Sequence, residues 1–144
     1  MRKYRKYVFA VVYRKNGKPK ILILHRIKNW TGWEFLKGGL KKGENVDSCL
    51  AREILEETGA KRYEVKKTNY TIKYDWPKWY TKDSERFNGA VGKLFIVRIF
   101  NKKIKIDRSE HDKFKWVSPN NAIKYLTHKE QKNALKYVLK NHML

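Results

Sequence analysis

The 144-residue chain carries 35 Lys+Arg against 14 Asp+Glu, a formal net charge of +21, and one cysteine. This length supports one hydrophobic core, so we expect a single domain over residues 1–144. The lone cysteine excludes an internal disulfide. No apolar run reaches the roughly 18 residues of a membrane span, so we expect no membrane insertion and a cytoplasmic location. The charge indicates either a polyanionic partner, such as RNA or a polyphosphate, or a lysine-rich proteome.

The pattern of apolar residues predicts a mixture of strands and helices. Strands are predicted at residues 7–13, 21–25, 70–74, 89–100 and 114–117, with Ile104 and Ile106 continuing the sheet. Asn16-Gly17 predicts a turn between the first two strands, and residues 26–37 and 75–88 are expected to be loops. Helices are predicted at about 46–58, 119–126 and 129–141. This order predicts an α/β fold, an α/β/α sandwich around a mixed sheet.

Helix 46–58 carries glutamates on its apolar face. At about 100° per residue, Glu53 and Glu57 fall in line with Val46, where an ordinary amphipathic helix has apolar side chains. Two carboxylates at about 4 Å repel each other by about 4 kcal/mol at an effective dielectric constant near 20. A divalent cation removes this repulsion, and a site made of oxygen ligands alone favours Mg²⁺ or Mn²⁺ over zinc. The alternative, a solvated helix with Glu–Lys pairs, does not explain acids on the apolar face.

Glycines precede these acids at a fixed spacing. Gly38 is followed by five residues and Glu44, then by seven residues and the run Arg-Glu-Ile-Leu-Glu-Glu-Thr-Gly-Ala at 52–60. This spacing resembles the Nudix box, Gly-x5-Glu-x7-Arg-Glu-U-x-Glu-Glu-x-Gly-U, where U is a large aliphatic residue. Ala60 is the one departure from it. The resemblance implies the same sandwich fold and hydrolysis of a nucleoside diphosphate linked to another group.

The resemblance also implies roles for the box residues. Glu53, Glu56 and Glu57 would hold the metal, Mg²⁺ or Mn²⁺. Arg52 would orient a glutamate within the box. Gly38 and Gly39 would let the backbone approach the metal and the phosphates, since glycine has no Cβ. The residues at the helix ends, Asn45 and Gly59, are expected to cap it.

One further acid outside the box is expected to act as a base or as an extra metal ligand. Glu110 begins a segment that resembles the Glu-x-x-x-aromatic-basic-Trp run of dinucleoside polyphosphate hydrolases and RNA pyrophosphohydrolases. His111 and Asp112, which follow it, are expected to shape the loop. Lys37 and Arg26 are the expected phosphate clamps, and surface charge is the alternative for both.

Aromatic residues between 74 and 80 are expected to recognise a base by stacking. The run Tyr-Asp-Trp-Pro that begins at Tyr74 resembles a run of the plant-type diadenosine tetraphosphate hydrolases and the bacterial RNA pyrophosphohydrolases. Trp79 and Tyr80 are the expected stacking residues. His128 lies where these relatives often carry an aromatic residue, so it is a further candidate ligand contact.

The first expectation for the activity is asymmetric hydrolysis of diadenosine tetraphosphate to ATP and AMP. The second is removal of pyrophosphate from triphosphorylated RNA 5′ ends. Lys37 favours the first, whereas Gly39 and the basic charge favour the second. ADP-ribose and nucleoside triphosphates are further alternatives. A different class, an inactive basic RNA-binding module, is disfavoured because no acid of the box is lost. The sequence leaves the oligomeric state open.

Overall fold

The computed structural model describes residues 3–77, 79 and 87–144. Over these residues it has seven strands and three helices. In chain order they are β1 Tyr4–Asn16, β2 Lys18–Arg26, β3 Gly32–Glu34, β4 Leu36–Gly39, α1 Val46–Thr58, β5 Tyr63–Asp75, β6 Gly89–Ile99, β7 His111–Val117, α2 Pro119–Tyr125 and α3 Lys129–Lys140. None of these helices is long and apolar enough to cross a membrane.

The seven described strands form one mixed sheet. Its main path is β3-β2-β1-β6-β5, while β4 pairs with β1 and β7 pairs with β2. The pairing of β1 with β6 is parallel, and β1 is antiparallel to both of its other partners. The two ends of β1 have different antiparallel neighbours, since Tyr7–Ala10 pair with β4 and Tyr13–Asn16 pair with β2. The glycines of β4 therefore lie beside the first half of β1.

The sheet buries apolar side chains on both faces. Val8, Ala10 and Val12 of β1 belong to the core that also contains Leu50 and Ile54 of α1. The intervening residues of β1 point to the other face, because side chains alternate along a strand, and they pack with residues of α2 and α3. The predicted α/β/α sandwich with a mixed sheet is confirmed.

Both ends of α1 have strong capping interactions. The side chain of Asn45 accepts a hydrogen bond from the Ser48 amide at 2.8 Å, and the Ser48 hydroxyl accepts one from the Asn45 amide at 3.0 Å. Gly59 has φ +71°, a left-handed conformation that favours glycine. Its amide donates to the Leu55 carbonyl at 2.9 Å. The predicted bounds 46–58 are confirmed.

Two predictions of element type differ from the structure, and the strand predicted at 70–74 begins earlier, since β5 spans Tyr63–Asp75. Residues 26–37 contain β3 and the start of β4, so the prediction of a continuous loop is wrong. Both strands are too short for a readable alternation. β3 pairs with β2 across the short connection 27–31, whereas β4 pairs with β1, which is far away in the sequence. Ile104 and Ile106 lie in no strand, so that prediction is wrong as well. The apolar character of these two positions has another cause, since both side chains pack on the core beneath α1.

Candidate active site

Gly38 brings the backbone of β4 against α1. It pairs with Val8, and the carboxylate of Glu53 fills the space beside its Cα. A Cβ at this position would collide with the Glu53 carboxylate. Any side chain at position 38 would therefore displace this carboxylate, whereas glycine leaves room for it. Gly39 is also crowded, since a Cβ there would lie 2.7 Å from the guanidinium of Arg5.

Glu53 and Glu57 lie on the buried face of α1, as the helical pattern predicts. Glu53 is 6 % exposed and Glu57 is 1 % exposed, whereas Glu56 is exposed. Burial raises the pKa of Glu53 to about 7, although the hydrogen bond from Arg52 acts in the opposite direction. Burial also raises the pKa of Glu57. Their charged forms are therefore disfavoured until a cation compensates them.

Arg52 joins the glycine turn to the helix. It forms a two-pronged ion pair with Glu44, with its Nε and Nη2 2.7 and 2.9 Å from the carboxylate oxygens. It also donates to Glu53 at 2.7 Å and to the Gly39 carbonyl at 3.1 Å. A longer contact of 3.2 Å reaches Glu56. Arg52 thus contacts three glutamates of the box, and its hydrogen bonds lower the pKa of Glu44 to about 2.

A buried histidine bridges two buried acids beneath the box helix. Nε2 of His111 lies 2.8 Å from Glu34, and Nδ1 lies 2.9 Å from Glu57. The second contact lacks hydrogen-bond alignment, which leaves Glu57 Oε2 without a donor. Arg26 donates to the same oxygen of Glu34 at 3.0 Å. Glu34 and His111 hold the site together, yet sequence reasoning missed Glu34 and assigned His111 to loop shaping.

The pKa values agree with a protonated bridging histidine. Burial on its own would lower the pKa of His111, but the contacts with Glu34 and Glu57 outweigh it and raise the pKa to about 9. Burial would likewise raise the pKa of Glu34, but the hydrogen bond from His111 and the nearby cations lower it. Because both ring nitrogens of a protonated imidazole carry hydrogen, His111 in this state offers no lone pair to a metal.

Glu110 lies next to this network, at the start of β7. One oxygen of Glu110, one of Glu57 and a ring nitrogen of His111 all lie within 4.8 Å of one another. The Glu110 carbonyl accepts a hydrogen bond from the Ile27 amide at 2.9 Å, which fixes the backbone. The structure therefore brings Glu110 to the box acids, although 53 positions separate it from Glu57 in the sequence.

A cleft of about 550 Å³ opens over these residues. The predicted residues on its wall are Arg26, Lys37, Gly38, Gly39, Arg52, Glu53, Glu56, Tyr74 and Glu110. Three further cations that sequence reasoning missed also line it: Arg5, Lys28 and Lys41. Glu57 is almost fully buried and is not part of the wall. The cleft thus has a cluster of carboxylates surrounded by cations. The carboxylates suit a divalent metal ion and the cations suit the phosphates of a polyphosphate.

A smaller pocket of about 240 Å³ adjoins the cleft. Tyr7, Lys37 and Tyr74 line both cavities. His128 lines only the pocket, and its ring packs edge-on against Trp30 at 4.5 Å between centroids. Burial lowers the pKa of Lys37, which lies where the two cavities meet. One nucleotide could thus place its base in the pocket and its phosphates in the cleft.

One predicted stacking residue, Trp79, lies away from these cavities. Trp79 is 79 % exposed and lines neither of them. Tyr80 lies outside the described residues. Trp76, which the aromatic run also contains, does line the cleft. The structure therefore brings Tyr74 and Trp76 to the site and leaves Trp79 at the surface.

Comparisons with known proteins agree with this geometry. An RNA pyrophosphohydrolase of Nitratiruptor sp. is 30 % identical over 132 residues, which cover 88 % of this chain and 85 % of the relative. An RNA pyrophosphohydrolase of Campylobacter jejuni is 30 % identical over 131 residues, which cover 87 % and 84 %. A solved Ap4A hydrolase of C. elegans shares the fold with a TM-score of 0.76 at 23 % identity, over 96 % of this chain and 97 % of that one.

The family model described as the NUDIX domain matches residues 3–139, nearly the whole chain. The box residues, the buried acids and the sandwich fold lie inside this match. The protein belongs to the Nudix family and is a hydrolase of pyrophosphate linkages.

Proposed function

We propose that this Nudix hydrolase removes pyrophosphate from triphosphorylated RNA 5′ ends, with Mg²⁺ or Mn²⁺ as its metal. The observation that carries the proposal is the cleft, in which the carboxylates of Glu53, Glu56 and Glu110 are surrounded by six cations, beside a pocket of aromatic side chains. The RNA pyrophosphohydrolase relatives support the choice of substrate. The net charge of +21 also favours a long polyanion over a small nucleotide.

The residues present fit a hard divalent ion. Glu53 and Glu57 are buried carboxylates with raised pKa values, and Glu57 Oε2 has no hydrogen-bond donor. Any side chain at position 38 would enter the space beside the Gly38 Cα that the Glu53 carboxylate occupies. We propose that Glu53, Glu56, Glu57 and Glu110 hold the ion together with the Gly38 carbonyl. When bound, the ion supplies a more acidic water and neutralises phosphate oxygens.

The remaining steps fall to the protein's own side chains. Glu110 is partly exposed at the cleft, so it can accept a proton from the attacking water. Lys37 and Arg26 hold the phosphates, and Arg26 is itself anchored by Glu34. Tyr74 and His128 contact the base in the adjoining pocket. Arg52 orients Glu53 by the hydrogen bond at 2.7 Å.

Diadenosine tetraphosphate remains a second candidate substrate. The specific observation in its favour is that Lys37 and Tyr74 line both cavities, which would suit one adenosine with its polyphosphate chain. The sequence placed this substrate first. We place RNA first because relatives with 30 % identity over most of their length carry that description, whereas the Ap4A hydrolase is matched through its fold.

A substrate panel tests the proposal. Triphosphorylated RNA, diadenosine tetraphosphate, ADP-ribose and deoxynucleoside triphosphates would be compared by kcat/KM with Mg²⁺ and with Mn²⁺. We expect the highest kcat/KM for RNA, with pyrophosphate and monophosphorylated RNA as products. A higher value for diadenosine tetraphosphate, with ATP and AMP as products, would favour the second candidate. A highest value for ADP-ribose or for a nucleoside triphosphate would reject both.

A further inference from the structure

A second basic groove, of about 710 Å³, lies at the far end of β1, where β1 turns into β2 and β6 ends. Its cations are Arg14, Lys15, Lys18, Lys20, Arg98 and Lys102. We call it the hairpin groove. Among the described residues no acid lines it, in contrast to the catalytic cleft, which has four. A groove of one sign of charge raises the local concentration of a ligand of opposite charge.

The cations of the hairpin groove are not neutralised by neighbouring acids. Within the described part of the chain, none of the six takes part in an ion pair. Arg14 lies directly opposite Lys20 in the pairing of β1 with β2. Like charges in this position destabilise a sheet unless an anion lies between them. Glu64 is opposite Arg98 on β5, yet no ion pair joins the two.

Aromatic rings accompany the charges. Phe100 lines the groove and is 40 % exposed. The guanidinium carbons of Arg62 and Arg98 lie 5.1 and 5.2 Å from its ring centroid. Arg14 lies 4.3 Å from the centroid of Trp116, which packs against the core next to the groove and does not line it. Cations that follow a phosphate backbone, combined with aromatic faces for bases, are the features by which proteins bind single-stranded nucleic acid.

The hairpin groove is separate from the catalytic cleft. The cleft lies beside Tyr7 and Val8, which pair with Gly39 and Gly38, whereas the groove begins at Arg14 of the same strand. Six residues of strand correspond to roughly 20 Å at about 3.3 Å per residue. A small nucleotide in the cleft cannot reach the groove, but a polynucleotide can.

We propose that the hairpin groove binds the sugar–phosphate backbone of single-stranded RNA. The charge and the aromatic face argue for a single-stranded polyanion. The choice of RNA rests on the proposed function, whereas binding itself does not depend on which linkage the cleft hydrolyses. The groove would hold the body of a transcript while its 5′ end occupies the cleft.

The test measures binding of a 3′-labelled single-stranded RNA with a 5′ hydroxyl by fluorescence anisotropy, so that no hydrolysis is required. We expect the charge reversal Lys18→Glu/Lys20→Glu to weaken binding at least tenfold. The slope of log K against log salt should fall by about 0.7 for each lost contact. Phe100→Ala should weaken binding by about fivefold or more through lost stacking.

The matched control is Lys136→Glu/Lys140→Glu, because both lysines are exposed on α3 and the change in net charge is the same. We expect this control to bind nearly as the unaltered protein does. Both double variants should hydrolyse a triphosphorylated dinucleotide at the unaltered rate, since the dinucleotide is too short to reach the groove. This readout separates a failure of the groove from a failure of the proposed activity.

Three results would overturn the proposal: equal loss of binding in the two double variants, unchanged binding after Lys18→Glu/Lys20→Glu, or no binding by the unaltered protein. Equal loss would mean that net charge alone attracts RNA. Tighter binding of a poly-glutamate peptide than of RNA, lost in the groove variant, would assign the surface to an acidic protein instead.

Discussion

Glu57 is the acid whose surroundings are least like those of an ordinary helix glutamate. It is 1 % exposed, its Oε2 lacks a hydrogen-bond donor, and both His111 and the carboxylate of Glu110 lie close to it. Burying such a carboxylate costs free energy unless a cation or a set of hydrogen bonds compensates its charge. The adjacent Glu56 is exposed and accepts a hydrogen bond of 3.2 Å from Arg52, which also donates to Glu44 and Glu53. The two neighbouring glutamates of the box therefore have different surroundings.

The substitution Glu57→Gln should lower kcat by several orders of magnitude while the fold is retained. The amide keeps the size of the side chain but loses the charge that we propose holds the metal. Steady-state kinetics over a range of Mg²⁺ concentrations and circular dichroism would measure the two effects. Glu64→Gln, at an exposed position of β5, is the control. Turnover of Glu57→Gln at the unaltered rate would refute the metal role.

The charge of His111 makes a prediction about stability in the metal-free protein. Its pKa is about 9 in the folded protein against 6.5 for an ordinary histidine. Because the folded protein binds this proton more tightly than the unfolded chain, protonation of His111 stabilises the fold. This contribution is complete below pH 6.5 and is lost as the pH rises through 9. The contribution is about 3 kcal/mol at most.

Urea unfolding in EDTA from pH 6 to 10 would measure this effect. The unaltered protein should lose stability between pH 7 and 9 relative to His111→Gln, which has no titrating group at this position. Parallel stability curves for the two proteins across that range would show that His111 is neutral in the fold.

At the scale of elements, the contact between β4 and α1 forms the site. Gly38 and Glu53 occupy the same space, so the spacing between the glycine turn and the helix matters as much as the residue types. The capping box at Asn45 fixes where the helix starts, and so fixes which positions face β4. The turns of the helix then carry Glu53 and Glu57 to the buried side.

The substitution Gly38→Ala should disable the enzyme more than it destabilises it. Its Cβ would displace the Glu53 carboxylate, and misplacement by about 1 Å can lower the rate about a hundredfold. Kinetics on a triphosphorylated dinucleotide, which is too short to reach the hairpin groove, and thermal unfolding would be compared with those of Gly17→Asn. Gly17 is a turn position far from the cleft, with φ +84° and nothing within 4 Å of an added Cβ. Full activity in Gly38→Ala would mean that Glu53 can move without consequence.

The sequence predicted elements with strong local signals and missed very short strands and contacts between distant positions. Helix α1 was predicted to the residue because a capping residue and a left-handed glycine mark its ends. Strands β3 and β4 span three and four residues, too few for a readable alternation. The pair Glu34 and His111 joins positions 77 residues apart. Nothing local in the sequence indicates that contact.

At the scale of the whole molecule, charge is distributed in two ways. The catalytic cleft mixes cations with acids, while the described residues that line the hairpin groove at the other end of β1 include cations but no acid. The sequence left open whether +21 reflects a partner or composition. The groove without acids favours a partner.

Salt should therefore affect long and short substrates differently. We expect kcat/KM for triphosphorylated RNA to fall more steeply with KCl than kcat/KM for a triphosphorylated dinucleotide. Salt screens exposed charges beyond about 10 Å at 0.1 M, and each phosphate contact adds to the dependence. Initial rates from 50 to 300 mM KCl would give both slopes. Equal slopes would mean that only the 5′ end is recognised.

We propose that the buried acids of α1 form the metal site of this hydrolase. Diffraction from a crystal soaked in Mn²⁺, recorded at the manganese absorption edge, tests it most directly. We predict an anomalous peak between the Glu53 and Glu57 carboxylates and the Gly38 carbonyl. The claim would be contradicted if an active crystal bound Mn²⁺ elsewhere and these acids remained without a metal.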